Sequence, residues 1–98
     1  MSNNLTDKLG NFLVSPAQSR GARGMLGWSQ EQLAEAAKIS RATIADFERG
    51  ERTPTAANLI AIREAFEKAG LEFIPENGGG FGLRFKHRGD KAAEPLGG

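Results

Sequence analysis

At 98 residues and 39% apolar content the chain is long enough for one domain. Only 21 of those residues are Leu, Ile, Val or Phe, so the core is small and the 14 alanines must serve as close-packing surface. A net charge of +1 leaves any nucleic-acid affinity to local placement of Lys and Arg, and the absence of cysteine with a lone histidine, His87, excludes a disulfide scaffold, a thiolate metal site and a cysteine nucleophile.

No apolar run approaches the roughly 20 residues that a membrane-spanning helix needs. The first residues, MSNNLTDKLGNFLVS, lack a basic region before a long apolar stretch, so a secretory signal is not expected and a cytoplasmic chain is. Residues 1–14 read as a flexible segment. Leu5, Leu9, Phe12 and Leu13 within it have a spacing that allows a short helix.

Four helix starts then follow in order. Ser15-Pro16-Ala17-Gln18 places a capping serine before proline at the first helical position, with glutamine three residues on. Ser29-Gln30-Glu31-Gln32 is a second capping box, with Trp28 before the cap placed to pack on Leu33. Ser40 caps a third helix, with Ile39 placed against Ile44. Thr55, after Thr53-Pro54, caps a fourth. With stops at Gly27, Gly50 and Gly70, the spacing predicts helices near 16–26, 30–37, 41–49 and 56–69. The third turns Ile44 and Phe47 inward, and the fourth presents Leu59, Ile62, Phe66 and Ala69. Only Lys38-Ile39-Ser40 separates the second helix from the third. Such a turn forces a steep crossing, and Ala34 supplies the small residue at the contact. This is a helix-turn-helix arrangement over residues 15–70.

The pattern changes after Gly70. Phe81-Gly82-Leu83-Arg84-Phe85-Lys86 alternates apolar with polar or small residues, as a half-buried strand does, and Leu71-Glu72-Phe73-Ile74 alternates in part. Between them, residues 75–80 (PENGGG) carry an Asn-Gly turn signal. Residues 71–86 therefore read as a β-hairpin with few partners in its own chain. It is expected to expose four apolar side chains and two unpaired edges, and pairing with its copy in a second subunit would cover both. The glycines match neither GxGxxG nor a Gly-Lys-Ser/Thr phosphate loop. Residues 87–98, including His87, read as a disordered, solvated tail. The predicted fold class is mainly α, a four-helix helix-turn-helix domain with a small C-terminal β-hairpin.

The pattern Gln30-x-x-Leu33-Ala34-x-x-Ala37-x-Ile39-Ser40-x-x-Thr43-Ile44-x-x-Phe47-Glu48-x-Gly50 closely resembles the helix-turn-helix of the phage repressor and Cro family, and of bacterial regulators of the xenobiotic-response-element type. Arg20-x-x-Arg23 upstream and Arg52-Thr53-Pro54 downstream also fit. One departure is Lys38, where the family usually has glycine. A left-handed residue there costs lysine roughly 1 kcal/mol relative to glycine.

The resemblance implies sequence-specific binding of double-stranded DNA, normally as a homodimer, with the third helix in the major groove. Its outward residues suit that role. Arg41 can give two hydrogen bonds to guanine, Ala42 can touch a thymine methyl, and Thr43, beside the cap Ser40, can reach a phosphate or base. Asp46 can accept from a cytosine amino group or simply orient Arg49. Gln30 lies at a helix start that favours phosphate, and Arg49, Arg52 and Thr53 follow the recognition helix as backbone contacts. By resemblance Arg23 forms an internal ion pair with Glu48, and Arg20 is either exposed or a phosphate contact. Residues 38–54 carry Lys38, Arg41, Arg49 and Arg52 against Asp46, Glu48 and Glu51, a net of +1, so pairing Glu48 internally leaves the DNA-facing remainder more positive.

The expected function is a transcriptional regulator, with repression as the commonest role because blocking polymerase requires only occupancy of an inverted-repeat operator. The alternative is an antitoxin or protein-interaction module on the same fold, with a protein partner. No catalytic residues, cofactor or metal site are expected, and a hydrolase has no support in the residues present.

Overall fold

The computed structural model describes residues 14–74 and 82–87. Four helices and two strands follow in chain order: α1 (Pro16–Leu26), α2 (Gln30–Ala37), α3 (Arg41–Glu48), α4 (Ala56–Lys68), β1 (Leu71–Ile74) and β2 (Gly82–Phe85). The architecture is mainly helical with one antiparallel hairpin, as the patterning predicts. The third and fourth helices end one residue before their predicted limits. The turn at 75–80, Phe81, the N-terminal segment before Val14 and the tail after His87 lie outside the described residues.

Each helix begins where a side chain satisfies an otherwise unpaired backbone N–H. Ser15 Oγ accepts from Gln18 N at 3.0 Å while Gln18 Oε1 accepts from Ser15 N at 3.0 Å. Ser29 and Gln32 repeat that reciprocal pair at 3.0 and 2.8 Å. Ser40 and Thr55 cap α3 and α4 through the N–H groups of Thr43 and Asn58.

The core is one cluster that joins all six elements. Leu33, Ile44, Ile62, Phe66 and Leu71 are its largest fully buried apolar residues, with Ala22, Ala34, Ala37 and Ala65 filling the close approaches between helices. Val14, which the sequence reading assigns to the N-terminal segment, is part of this core. The Trp28 ring stacks on Phe66 with centroids 5.9 Å apart, and Phe66 meets Phe73 at 6.1 Å. This aromatic row runs from the α1–α2 loop through α4 to β1 and fixes the hairpin on the helices.

The hairpin pairs Leu71 with Phe85, Glu72 with Arg84, Phe73 with Leu83 and Ile74 with Gly82. Leu71 and Phe73 are 0% and 6% exposed, and Leu83 and Phe85 pack against the core. The expectation that this segment has few partners in its own chain is therefore corrected: its apolar face is covered by α1 and α4. Arg63 of α4 lies 5.1 Å from the centre of the Phe73 ring, Gln18 Nε2 donates to the Gly82 carbonyl at 3.3 Å, and Arg84 pairs with Glu72 across the outer face. A Cβ at position 82 would sit 3.1 Å from Ile74 Cβ, so any larger residue there requires Ile74 to shift by a few tenths of an ångström.

Lys38 ends α2 in the left-handed region at φ 60° and ψ 45°. Its N–H caps the helix on the Ala34 carbonyl, the geometry that glycine adopts without steric cost. Lys38→Gly should therefore raise unfolding free energy by about 0.5–1 kcal/mol. Urea denaturation of the two proteins measures this, and a loss of stability would mean that the lysine side chain contributes more than its backbone conformation costs.

Candidate nucleic-acid interface

The orientation of α3 is set from its last residue. The Glu48 carboxylate is 3% exposed and lies where α1, α2 and α3 meet. Arg23 grips it with both arms of its fork, Nη2 to Oε1 at 2.7 Å and Nε to Oε2 at 3.0 Å. Ser19 Oγ donates to Oε2 at 2.5 Å and Gln30 Nε2 to Oε1 at 3.2 Å. The third nitrogen of Arg23 donates to the Trp28 carbonyl at 3.1 Å, and Arg20 donates to the Glu48 carbonyl at the end of α3. Burial pushes the Glu48 carboxyl up, but the donors from Arg23, Ser19 and Gln30, with the Arg23 charge, outweigh it and hold the group below its ordinary 4.5. The same pairing raises Arg23.

Around this anchor, the outward residues of α3 form an open face. Ser40, Arg41 and Ala42 at its first turn are exposed, Thr43 and Asp46 are half-buried, and Arg49, Arg52 and Thr53 are exposed beyond its end. Among the described residues Arg41 and Arg52 take no hydrogen-bond or ion-pair partner. Thr43 is less free. Its hydroxyl lies 2.8 Å from Ser40 Oγ, so it shares a hydrogen bond within the cap. Asp46 takes Arg49 Nη2 at 2.5 Å. Glu51 takes the same nitrogen at 3.2 Å. Glu51 and Asp46 together raise the Arg49 guanidinium further.

The geometry thus gathers Ser40, Arg41, Ala42, Thr43, Asp46 and Arg49 on one helix, with Arg52 and Thr53 just past it. Gln30 starts the neighbouring helix but gives its amide to Glu48. Arg20 is exposed and bonds the end of α3. The sequence reading did not anticipate Ser19 or Glu51. Ser19 stands four residues before Arg23, one helical turn along the same face, which is the one signal that could have linked it to Glu48. No group of residues suited to holding a metal occurs among the described residues.

Two short capped helices joined by a three-residue turn and packed on each other form a helix-turn-helix. A family model for helix-turn-helix domains matches residues 20–73, more than half of the chain, and the chain belongs to this family, the DNA-binding transcriptional regulators of the Cro/C1 type. Comparison with curated proteins finds no significant match. No helix among the described residues is long and apolar enough to cross a membrane.

The anchor has a pH signature. A carboxyl held below its unfolded value stabilises the fold fully above that value, and the contribution disappears as pH falls through the lower folded one. Melting temperature should therefore fall as the pH is taken from neutrality down through 4.5 and below. Glu48→Gln should flatten that acid limb and cost on the order of 3 kcal/mol at pH 7, because it leaves the Arg23 fork without its counter-charge. An unchanged acid limb in the variant would assign the effect to other carboxylates.

Proposed function

We propose that the chain is a repressor that binds an inverted-repeat operator as a homodimer, one α3 entering the major groove at each half-site. The observation that carries the reading is Arg41, exposed at the first turn of α3 and without a hydrogen-bond or ion-pair partner among the described residues. Its fork is directed into a groove when the helix lies there, where guanine O6 and N7 offer two acceptors. Ala42 and Thr43 flank it as a methyl contact and a short polar contact. Arg52 and Thr53 lie past the helix, alongside the sugar–phosphate backbone, and Arg49 joins them. The N-terminus of α2 at Gln30 approaches a phosphate through its backbone N–H groups while the side chain stays on Glu48.

The proposed dimer contact is an edge of the hairpin in 71–86. Lys86 N donates to the Gly70 carbonyl at 2.7 Å, which makes 70 and 86 a hydrogen-bonded pair. With the register above, the backbone groups of Leu71 and Phe73 then face one edge and those of Leu83 and Phe85 the other. With the apolar face already covered, backbone pairing rather than apolar burial favours a second copy here. Sedimentation equilibrium of the intact chain should give twice 10.5 kDa at the concentrations where it binds DNA. A monomer under those conditions would remove the inverted repeat from the account.

Selection of bound duplexes from a random pool identifies the operator and tests the division of labour. Arg41→Ala should cost about 1–3 kcal/mol on the selected site and relax preference at one base pair per half-site. Arg52→Ala should weaken all sequences about equally and reduce the salt slope by about one per subunit. Base preference left intact by Arg41→Ala would contradict the docking of α3.

A further inference from the structure

The outer end of α3 carries a charge cluster that this reading leaves unexplained. Arg49 Nη2 lies between Asp46 Oδ1 at 2.5 Å and Glu51 Oε1 at 3.2 Å. One cation and two carboxylates give the trio a formal charge of −1, on a face otherwise suited to a polyanion. The arrangement is built by the backbone. Gly50 turns the chain at φ 76°, its N–H donates to the Phe47 carbonyl at 2.9 Å, and the Glu51 N–H reaches back to the Asp46 carbonyl at 2.9 Å. This is the paired bonding by which a left-handed glycine closes a helix. It returns Glu51 to the side of Asp46, so that both carboxylates reach one guanidinium.

A free arginine at this place would add attraction to every duplex, whatever its sequence. Neutralised between two carboxylates it adds little, and the surplus negative charge opposes phosphate. Resting on the docking of α3 given above, we propose that the Asp46–Arg49–Glu51 cluster is a gate against sequence-independent DNA binding, and that Glu51 is a specificity-determining residue that touches no base. At the operator, a base amino group, such as that of cytosine, donates to Asp46 and occupies one carboxylate. Arg49 is then held by Glu51 alone, an exposed pair at 3.2 Å that a duplex phosphate outcompetes. On a duplex without that amino group Arg49 stays between Asp46 and Glu51, and both the repulsion and the lost backbone contact remain. Asp46 thereby couples the identity of one base to a contact with the backbone, and discrimination comes from a penalty on the wrong sequence as well as from a bond to the right one.

The test uses the full chain and Glu51→Gln, a substitution at an exposed side chain, with Arg49→Ala and the double variant. Affinity is measured on the selected operator and on an unrelated duplex of equal length, at two salt concentrations, with a melting curve for each protein. Glu51→Gln should raise affinity for the unrelated duplex by about 3–10-fold and for the operator by less than about 2-fold, so that the ratio between them falls. In the Arg49→Ala background the same substitution should raise both affinities by the same factor and leave their ratio unchanged. An equal rise on both duplexes, or a fall in the ratio that persists in full without Arg49, overturns the gate and leaves only the general effect of removing a negative charge. A wild-type protein that selects no consensus from the random pool would instead overturn the operator reading, and the gate with it. A clear consensus with an unchanged ratio in Glu51→Gln would overturn the gate alone.

Discussion

The placement of α3 depends on one buried carboxylate. Removing a charge from water is costly, and it is tolerated at Glu48 only because four donors from three side chains meet its two oxygens. Those side chains come from α1 and α2, so the ion pair fixes α3 against both neighbours at once. Arg23 carries the constraint further through the Trp28 carbonyl, and Arg20 closes the free end of α3. Among the described residues no buried side-chain polar atom lacks a partner, which is the condition under which a buried polar network specifies one geometry.

Behind this polar joint the domain divides its labour. The aromatic row of Trp28, Phe66 and Phe73, with alanines at the helix crossings, supplies apolar packing on the side away from the outward residues of α3. Arg63 places its charge on the Phe73 ring and pairs with Glu67 at 2.8 Å, holding α4 to β1. Among the arginines around α3, Arg41 at its start and Arg52, four residues past its end, have no hydrogen-bond or ion-pair partner among the described residues.

Much of this was legible in the residues because capping and periodicity are local. Ser15, Ser29, Ser40 and Thr55 announce their helices within four positions, and Phe81 to Lys86 alternate as a strand must. Partners distant in sequence were harder to read. Arg23 with Glu48 came through the family resemblance, but nothing in the spacing reveals that Ser19 and Gln30 share the same carboxylate across 29 and 18 positions. The hairpin's alternation was read correctly as one apolar face. What covers that face, α1 and α4 of the same chain, is a matter of how the elements pack and left no mark in the strand itself. Glu51 was missed because its position depends on the left-handed turn at Gly50 and not on helical spacing.

The central claim is that the Glu48 joint presents the outer face of α3 to DNA. Titrating isotopically labelled protein with its selected duplex and following every backbone amide by nuclear magnetic resonance tests it most directly. The account predicts the largest shifts at Ser40 to Thr43, at Asp46, at the start of α2 and at residues 49–53, with α4 and β1 nearly silent. Shifts centred on α4 or the hairpin, with α3 unmoved, would contradict it.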